Sequence, residues 1–307
     1  MRERLLDDRS RRGQLYALLG VTLFAGSIPM TKLAVDGFDP LVTATARAVM
    51  AGAIALPLLL VRRVPFPGRE LRRALVYTTL GAVFGWPILI ALALQRSSSA
   101  HTAVIAAFMP LMTALIAVLR TNERAPAQFW WAAATGTGAL VLFSLSRGGG
   151  SGGGDLIADL MVVGAVVASS WCYVEGAGLT RAMPGWQVIS WVVVIALPVT
   201  IPATAWLLAA RGHVGAIPAH AYVGLAYIGF VSMYFGFWAW YRGLALAGVT
   251  KGSSIQQLQA LMTLGLSAVL LGEHVGPLTV AAAIVVVASV LWAQRSRIVA
   301  PVPAEMD

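Results

Sequence analysis

The chain has 307 residues, of which 58% are hydrophobic and only 11% charged, with a mean hydropathy of +0.78. Soluble domains carry about 25% charged residues, so this chain lacks the charge to cover a water-facing surface and its solvent must be lipid. The net charge of +9 arises from 22 Lys and Arg spread over short segments, which argues against a nucleic-acid-binding domain and leaves them to be read as topology signals.

Taken in order, the charged opening Met1 to Arg12 runs into an apolar stretch that passes Gly26 with no small-residue cleavage site, so it reads as a retained cytoplasmic tail and a first span. A crossing helix needs about 20 apolar residues. Ten spans are predicted, at 14–33, 42–61, 74–94, 100–119, 128–146, 156–177, 186–208, 220–240, 252–271 and 278–294. Breakers punctuate the connections at Asp39-Pro40, Pro65-Phe66-Pro67-Gly68, Pro184-Gly185 and Gly276-Pro277. The run Gly148 to Gly154 is a flexible linker between the fifth and sixth spans. The expected organisation is a first repeat at 1–147, a Gly-rich linker at 148–155, a second repeat at 156–294 and a cytoplasmic tail at 295–307.

With the N-terminus in the cytoplasm, 17 of the 22 Lys and Arg fall inside, Lys32, Arg96, Arg147 and Arg211 fall outside, and Arg47 lies within the second span. That asymmetry predicts a multi-pass protein of the plasma or inner membrane with both termini cytoplasmic.

Sliding the chain by 150 positions aligns Tyr77 with Tyr227, Leu94 with Leu244, Leu111-Met112-Thr113 with Leu261-Met262-Thr263, and Glu123 with Glu273. Five spans per half is an odd number, so the halves must lie upside down to one another. The expected fold is therefore an all-α membrane protein of ten transmembrane helices arranged as two inverted five-helix repeats, an arrangement found in secondary transporters.

Each half also closes on a glutamate. The second half reads Gln256-Gln257-Leu258-Gln259-Ala260-Leu261-Met262-Thr263 and ends with Leu271-Gly272-Glu273; the first reads Phe108-Met109-Pro110-Leu111-Met112-Thr113 and ends with Arg120-Thr121-Asn122-Glu123. In these residues, and over nearly its whole length, the chain resembles the ten-span EamA-type family of the drug/metabolite transporter superfamily. It departs from that pattern at Ala260, at Arg120-Thr121-Asn122 and at Phe24-Ala25-Gly26. The resemblance implies a basket in which spans 1, 3, 4, 6, 8 and 9 line a central cavity, with export of amino acids or similar small metabolites as the activity.

Polar groups inside a bilayer are expensive and so informative. Span 9 carries Ser253, Gln256, Gln259, Thr263 and Ser267 at helical spacing, a stripe that suits a cavity wall for a polar solute. Tyr234, Trp238, Trp86 and Trp171 are candidate aromatic wall residues. Glu175 is read as the one carboxylate within a span and a candidate coupling or gate residue, with His101 and Lys251, at matching helix starts, as further candidates; a surface position for His101 is the default reading. Arg47 is expected to be paired structurally with a carboxylate or carbonyl. Cys172 is the single cysteine, and neither a metal cluster nor a cofactor motif is present in the sequence, nor a P-loop, so ATP is not expected as the direct energy source. The expected partners are a small-molecule solute and the lipid bilayer, with a proton or sodium gradient for coupling. The alternative is a membrane-embedded enzyme acting on a lipid-linked substrate. Such an enzyme should gather His and acidic residues at a membrane face, and His101, His213, His220 and His274 form no such motif.

Overall fold

The computed structural model describes residues 2–121, 126–146, 155–210, 216–247, 255–256 and 258–295. They form α1 (Ser10–Val35, the apolar part of a helix that begins at Arg2), α2 (Pro40–Val61), α3 (Arg69–Ala93), α4 (Ser99–Arg120), α5 (Ala127–Ser146), α6 (Leu156–Leu179), α7 (Gly185–Ala210), α8 (Ala219–Ala247), α9 (Leu258–Leu271) and α10 (Pro277–Arg295). Seven of these are long and apolar enough to cross a membrane, α5 has 20 residues, and α9 and α10 are shorter apolar helices. No β-strand occurs among the described residues. Most ends fall within a few residues of the predicted spans, but α8 runs on to Ala247, where its last turns pack on α1.

Local chemistry sets the boundaries. Asp39 caps α2 by accepting from Leu41 N at 2.8 Å, ahead of a proline in the first turn that has no N–H to satisfy. Ser98 caps α4 through His101 N at 3.1 Å and Asp155 caps α6 through Ile157 N at 2.9 Å. α9 ends at Leu271 where Gly272 takes φ +62°, the left-handed conformation that favours glycine after a helix. The outside is apolar: Leu60, Trp131, Leu142, Leu145, Trp206 and Val269 are all well exposed, as only a lipid surround would tolerate.

The packing follows the repeat. α1 lies on α8 while its counterpart α6 lies on α3; α9 packs on α1 while α4 packs on α6; and α2 with α7 and α5 with α10 pair across the pseudo-twofold axis. The chain is thus two inverted five-helix repeats whose helices interleave. Small residues allow the closest crossings. A Cβ at Gly243 would lie 2.5 Å from Ala17 N, and one at Gly81 would lie 2.3 Å from Ala168 O.

Four helices are irregular near the middle. α3 and α8 contain π-helical stretches, Leu80–Gly85 and Tyr227–Gly236, and a shift of 150 positions carries the first inside the second. α1 is interrupted at Gly26, and α4 at 107–108 just before Pro110, whose missing N–H cannot continue the ladder. Broken backbone at membrane depth is tolerated where it is covered by protein or lines a cavity.

Candidate functional site

The broken segments border two adjoining cavities. One is walled by Ile28, Ala103, Met109, Pro110, Gln256, Gln259 and Thr263, together with small residues of α4 and α9. The other is walled by Ser27, Arg47, Ser169, Ser232 and Gln259 on its polar side and by Phe24, Trp86, Tyr173 and Phe237 on its aromatic side. Met109 and Gln259 belong to both. α1, α2, α3 and α4 of the first half and α6, α8 and α9 of the second all contribute, so the site exists only between the halves.

The stripe on α9 is divided in its tasks. Gln259 Oε1 is buried without a hydrogen-bond partner, while Gln256 is buried with its Nε2 at 3.4 Å from Met109 Sδ. Thr263 donates to Ala25 O at 2.9 Å, satisfying a carbonyl released by the interruption of α1. Ser267 lies 2.8 Å from Ser99 Oγ and fastens α9 to α4. Ser253 and Lys251 lie outside the described residues, as does Glu123.

Among the aromatic candidates only Trp86 appears in these cavity walls. Tyr234 is buried with its hydroxyl 2.9 Å from Ser190 Oγ of α7. Trp238 stands edge-on to Tyr16 at 6.0 Å, and Trp171 takes the guanidinium of Arg120 at 5.6 Å from its ring centre. The walls supplied by Phe24, Tyr173 and Phe237 were not foreseen, nor were Ser27, Ser169 and Ser232; one small hydroxyl per helix leaves no pattern in sequence.

Three expectations about charge need correction. Glu175 is not the one carboxylate within a span, because Asp159 sits in the same helix, 5% exposed. His101 is not at the surface; it is fully buried, stacked on Phe143 at 4.8 Å, with Nε2 2.7 Å from Asp159 Oδ1 and its Nδ1 without a partner. An ion so far from water is affordable only beside a partner, and this pairing joins α4 to α6. Arg47, expected to be paired, is 3% exposed and its Nε has no hydrogen-bond partner. Glu175 for its part forms an ion pair with Arg120, at the opposite end of the helices from Ser99.

The end near Ser99 is clasped by polar contacts between the halves. Glu273 accepts from Ser99 N at 2.8 Å and Ala100 N at 2.7 Å, capping α4 from across the repeat, which is the structural task of the glutamate that closes the second half. Arg96 pairs with Asp155 at 2.7 Å and His220 with Asp36 at 2.6 Å. The Arg96 hydrogen bond, with Ile157 N behind it, holds the Asp155 carboxyl below its ordinary 3.8, so this link is complete above that value and is lost as the pH falls through the lowered one. Lys32 Nζ donates to Leu94 O at 2.6 Å at the end of α3.

Comparison with known proteins agrees with this architecture. The model of the EamA-like transporter family matches the chain twice, over residues 11–145 and 156–294. The uncharacterized transporter YdeK of Bacillus subtilis (strain 168) is 38% identical over 288 residues, 94% of this chain and 99% of the relative. The crystal structure of another protein shares the fold with a TM-score of 0.64 at 16% identity, covering 92% of this chain and 97% of its own.

Proposed function

We propose that this membrane transporter, which belongs to the EamA-like transporter family, is a secondary transporter that exports amino acids or similar small metabolites by alternating access. The observation that carries the reading is the cavity shared by both halves, with broken helices α1 and α4 beside it and polar atoms of Arg47 and Gln259 left unpaired in its wall. Inverted repeats place their solute at such an interface and expose it to either side by moving one helix group against another. The charge asymmetry of the loops favours an orientation with the clasped end, where Glu273 caps α4, outside and both termini in the cytoplasm. In that orientation Arg120 and Glu175 join α4 to α6 at the cytoplasmic end and serve as a gate.

His101 and Asp159 supply the coupling group. Their contact can hold one proton between Nε2 and Oδ1, and it spans the two halves, so a change of protonation changes a contact on which the packing of α4 against α6 depends. A proton gradient is therefore the preferred driving force over sodium. The enzyme alternative finds no support in a cavity whose described walls offer serines, an arginine and amides without a nucleophile and base in contact. A proteoliposome screen with labelled amino acids and drug-like cations, with and without imposed proton and sodium gradients, tests the assignment; absence of gradient-driven flux for every solute would overturn it.

A further inference from the structure

We propose that Arg47 is the anchor for a carboxylate on the transported solute, with Gln259 accepting an N–H from the same molecule. This deepens the transporter reading above and rests on it. A guanidinium stays charged at any physiological pH and is built to hold a carboxylate with two parallel hydrogen bonds. Arg47 is almost wholly buried, lines the second cavity, and carries a buried Nε with no partner.

The carboxylates with described side chains are engaged elsewhere. Asp36 faces His220, Asp155 faces Arg96, Asp159 faces His101, Glu175 faces Arg120, Asp39 and Glu273 cap helices, and Glu70 is exposed. A buried cation with no counter-charge among the described residues needs one from outside, and the cavity is where it would arrive. In the same wall Gln259 Oε1 is an acceptor with no donor. A cation and an acceptor, both unpaired on one cavity, match an anionic group and an N–H on one ligand. The aromatic side, with Phe24 and Phe237 rings 4.9 Å apart at 71°, receives the apolar remainder.

The test uses three probes of one shape: 3-phenylpropanoate, its neutral amide and 3-phenylpropylamine. Binding to the purified full chain in lipid nanodiscs is followed by tryptophan fluorescence, Trp86 being a cavity residue. The wild type should bind the carboxylate about tenfold or more tightly than the amide or the amine, the range of a charge-assisted pair. Arg47→Gln should erase that preference and Arg47→Lys should retain part of it. Without ligand, Arg47→Gln should melt no lower than the wild type, because it removes an uncompensated charge; a structural cation would behave in the opposite way. Equal or absent binding of the three probes by the wild type, a carboxylate preference that survives Arg47→Gln, or a destabilised Arg47→Gln protein would each overturn the proposal. Flux is scored separately in proteoliposomes. Carboxylate binding without flux of any solute would remove the transporter reading and leave the anion site, and flux without carboxylate selectivity would do the reverse.

Discussion

Removing Glu273 should open the clasped end. Its two carboxylate oxygens take the Ser99 and Ala100 amides at 2.8 and 2.7 Å, from a loop in the second half to a helix in the first. Each is a charge-assisted bond at a positive helix terminus, nominally worth about 1.5–3 kcal/mol. Glu273 is only partly buried, so the pair together is better taken as about 2–3 kcal/mol. If the contact exists only while this end is closed, its loss shifts the closed-to-open ratio by roughly 30- to 150-fold. The assay places one cysteine at Ser27, in the cavity wall, on a Cys172→Ser background, and measures its labelling in cells by a membrane-impermeant maleimide. Glu273→Ala should raise the labelling rate by at least tenfold in a closed-dominated protein, with Glu273→Gln intermediate, because the amide keeps an acceptor and loses the charge. A folded Glu273→Ala protein labelled at the parental rate would show that the contact does not distinguish the two states.

Gln259→Leu, alone or with Gln256→Leu, should leave folded protein in the membrane but cut proteoliposome transport by about tenfold, since a buried acceptor on the cavity is lost while apolar volume is kept; parental flux in the double variant would move the site elsewhere. Asp159→Asn should abolish pH-driven accumulation yet preserve counterflow exchange of labelled for unlabelled solute, which needs no net proton movement; accumulation with the parental pH dependence would remove the pair from coupling. Gly243→Val should lower detergent melting stability by about 1–3 kcal/mol, because its Cβ meets the Ala17 backbone rather than a movable side chain; an unchanged melting temperature would mean that α1 and α8 can part without cost. Reporter fusions after Asp307 and within the Gly148 to Gly154 linker should report opposite compartments.

The ten helices were legible because lipid enforces a coarse rule: long apolar runs, short breaks, and basic residues on one side. The repeat was legible through matched punctuation, above all Glu123 and Glu273. What the pattern could not convey was pairing. His101 meets Asp159 across 58 positions, Arg120 meets Glu175 across 55, and Glu273 meets Ser99 across 174, and no local periodicity records such partners. Glu175 drew attention because it stood out against its neighbours, while Asp159 lies only four positions from Asp155 at the start of the same helix. Arg47 was visible as a charge inside a span. Its lack of a partner became visible only once the described carboxylates had been placed. The π stretches of α3 and α8 left no distinctive composition at all, since their hydrogen-bond register is set by tertiary packing.

The interleaving of α1 with α8 also has a consequence for biosynthesis. Gly20 is fitted against Trp240 N at 2.8 Å from where a side chain would begin, so α1 is notched for a helix that emerges 220 residues later. At about 5–20 residues per second, that notch waits roughly 10–40 s in the bilayer before its partner is made. α3 likewise waits for α6, so the first five helices cannot complete their packing as a unit while the chain is growing. Assembly must therefore wait until helices of the second half have entered the bilayer. Two half-chains cut at the glycine linker should be degraded when made singly and should rescue one another when made together.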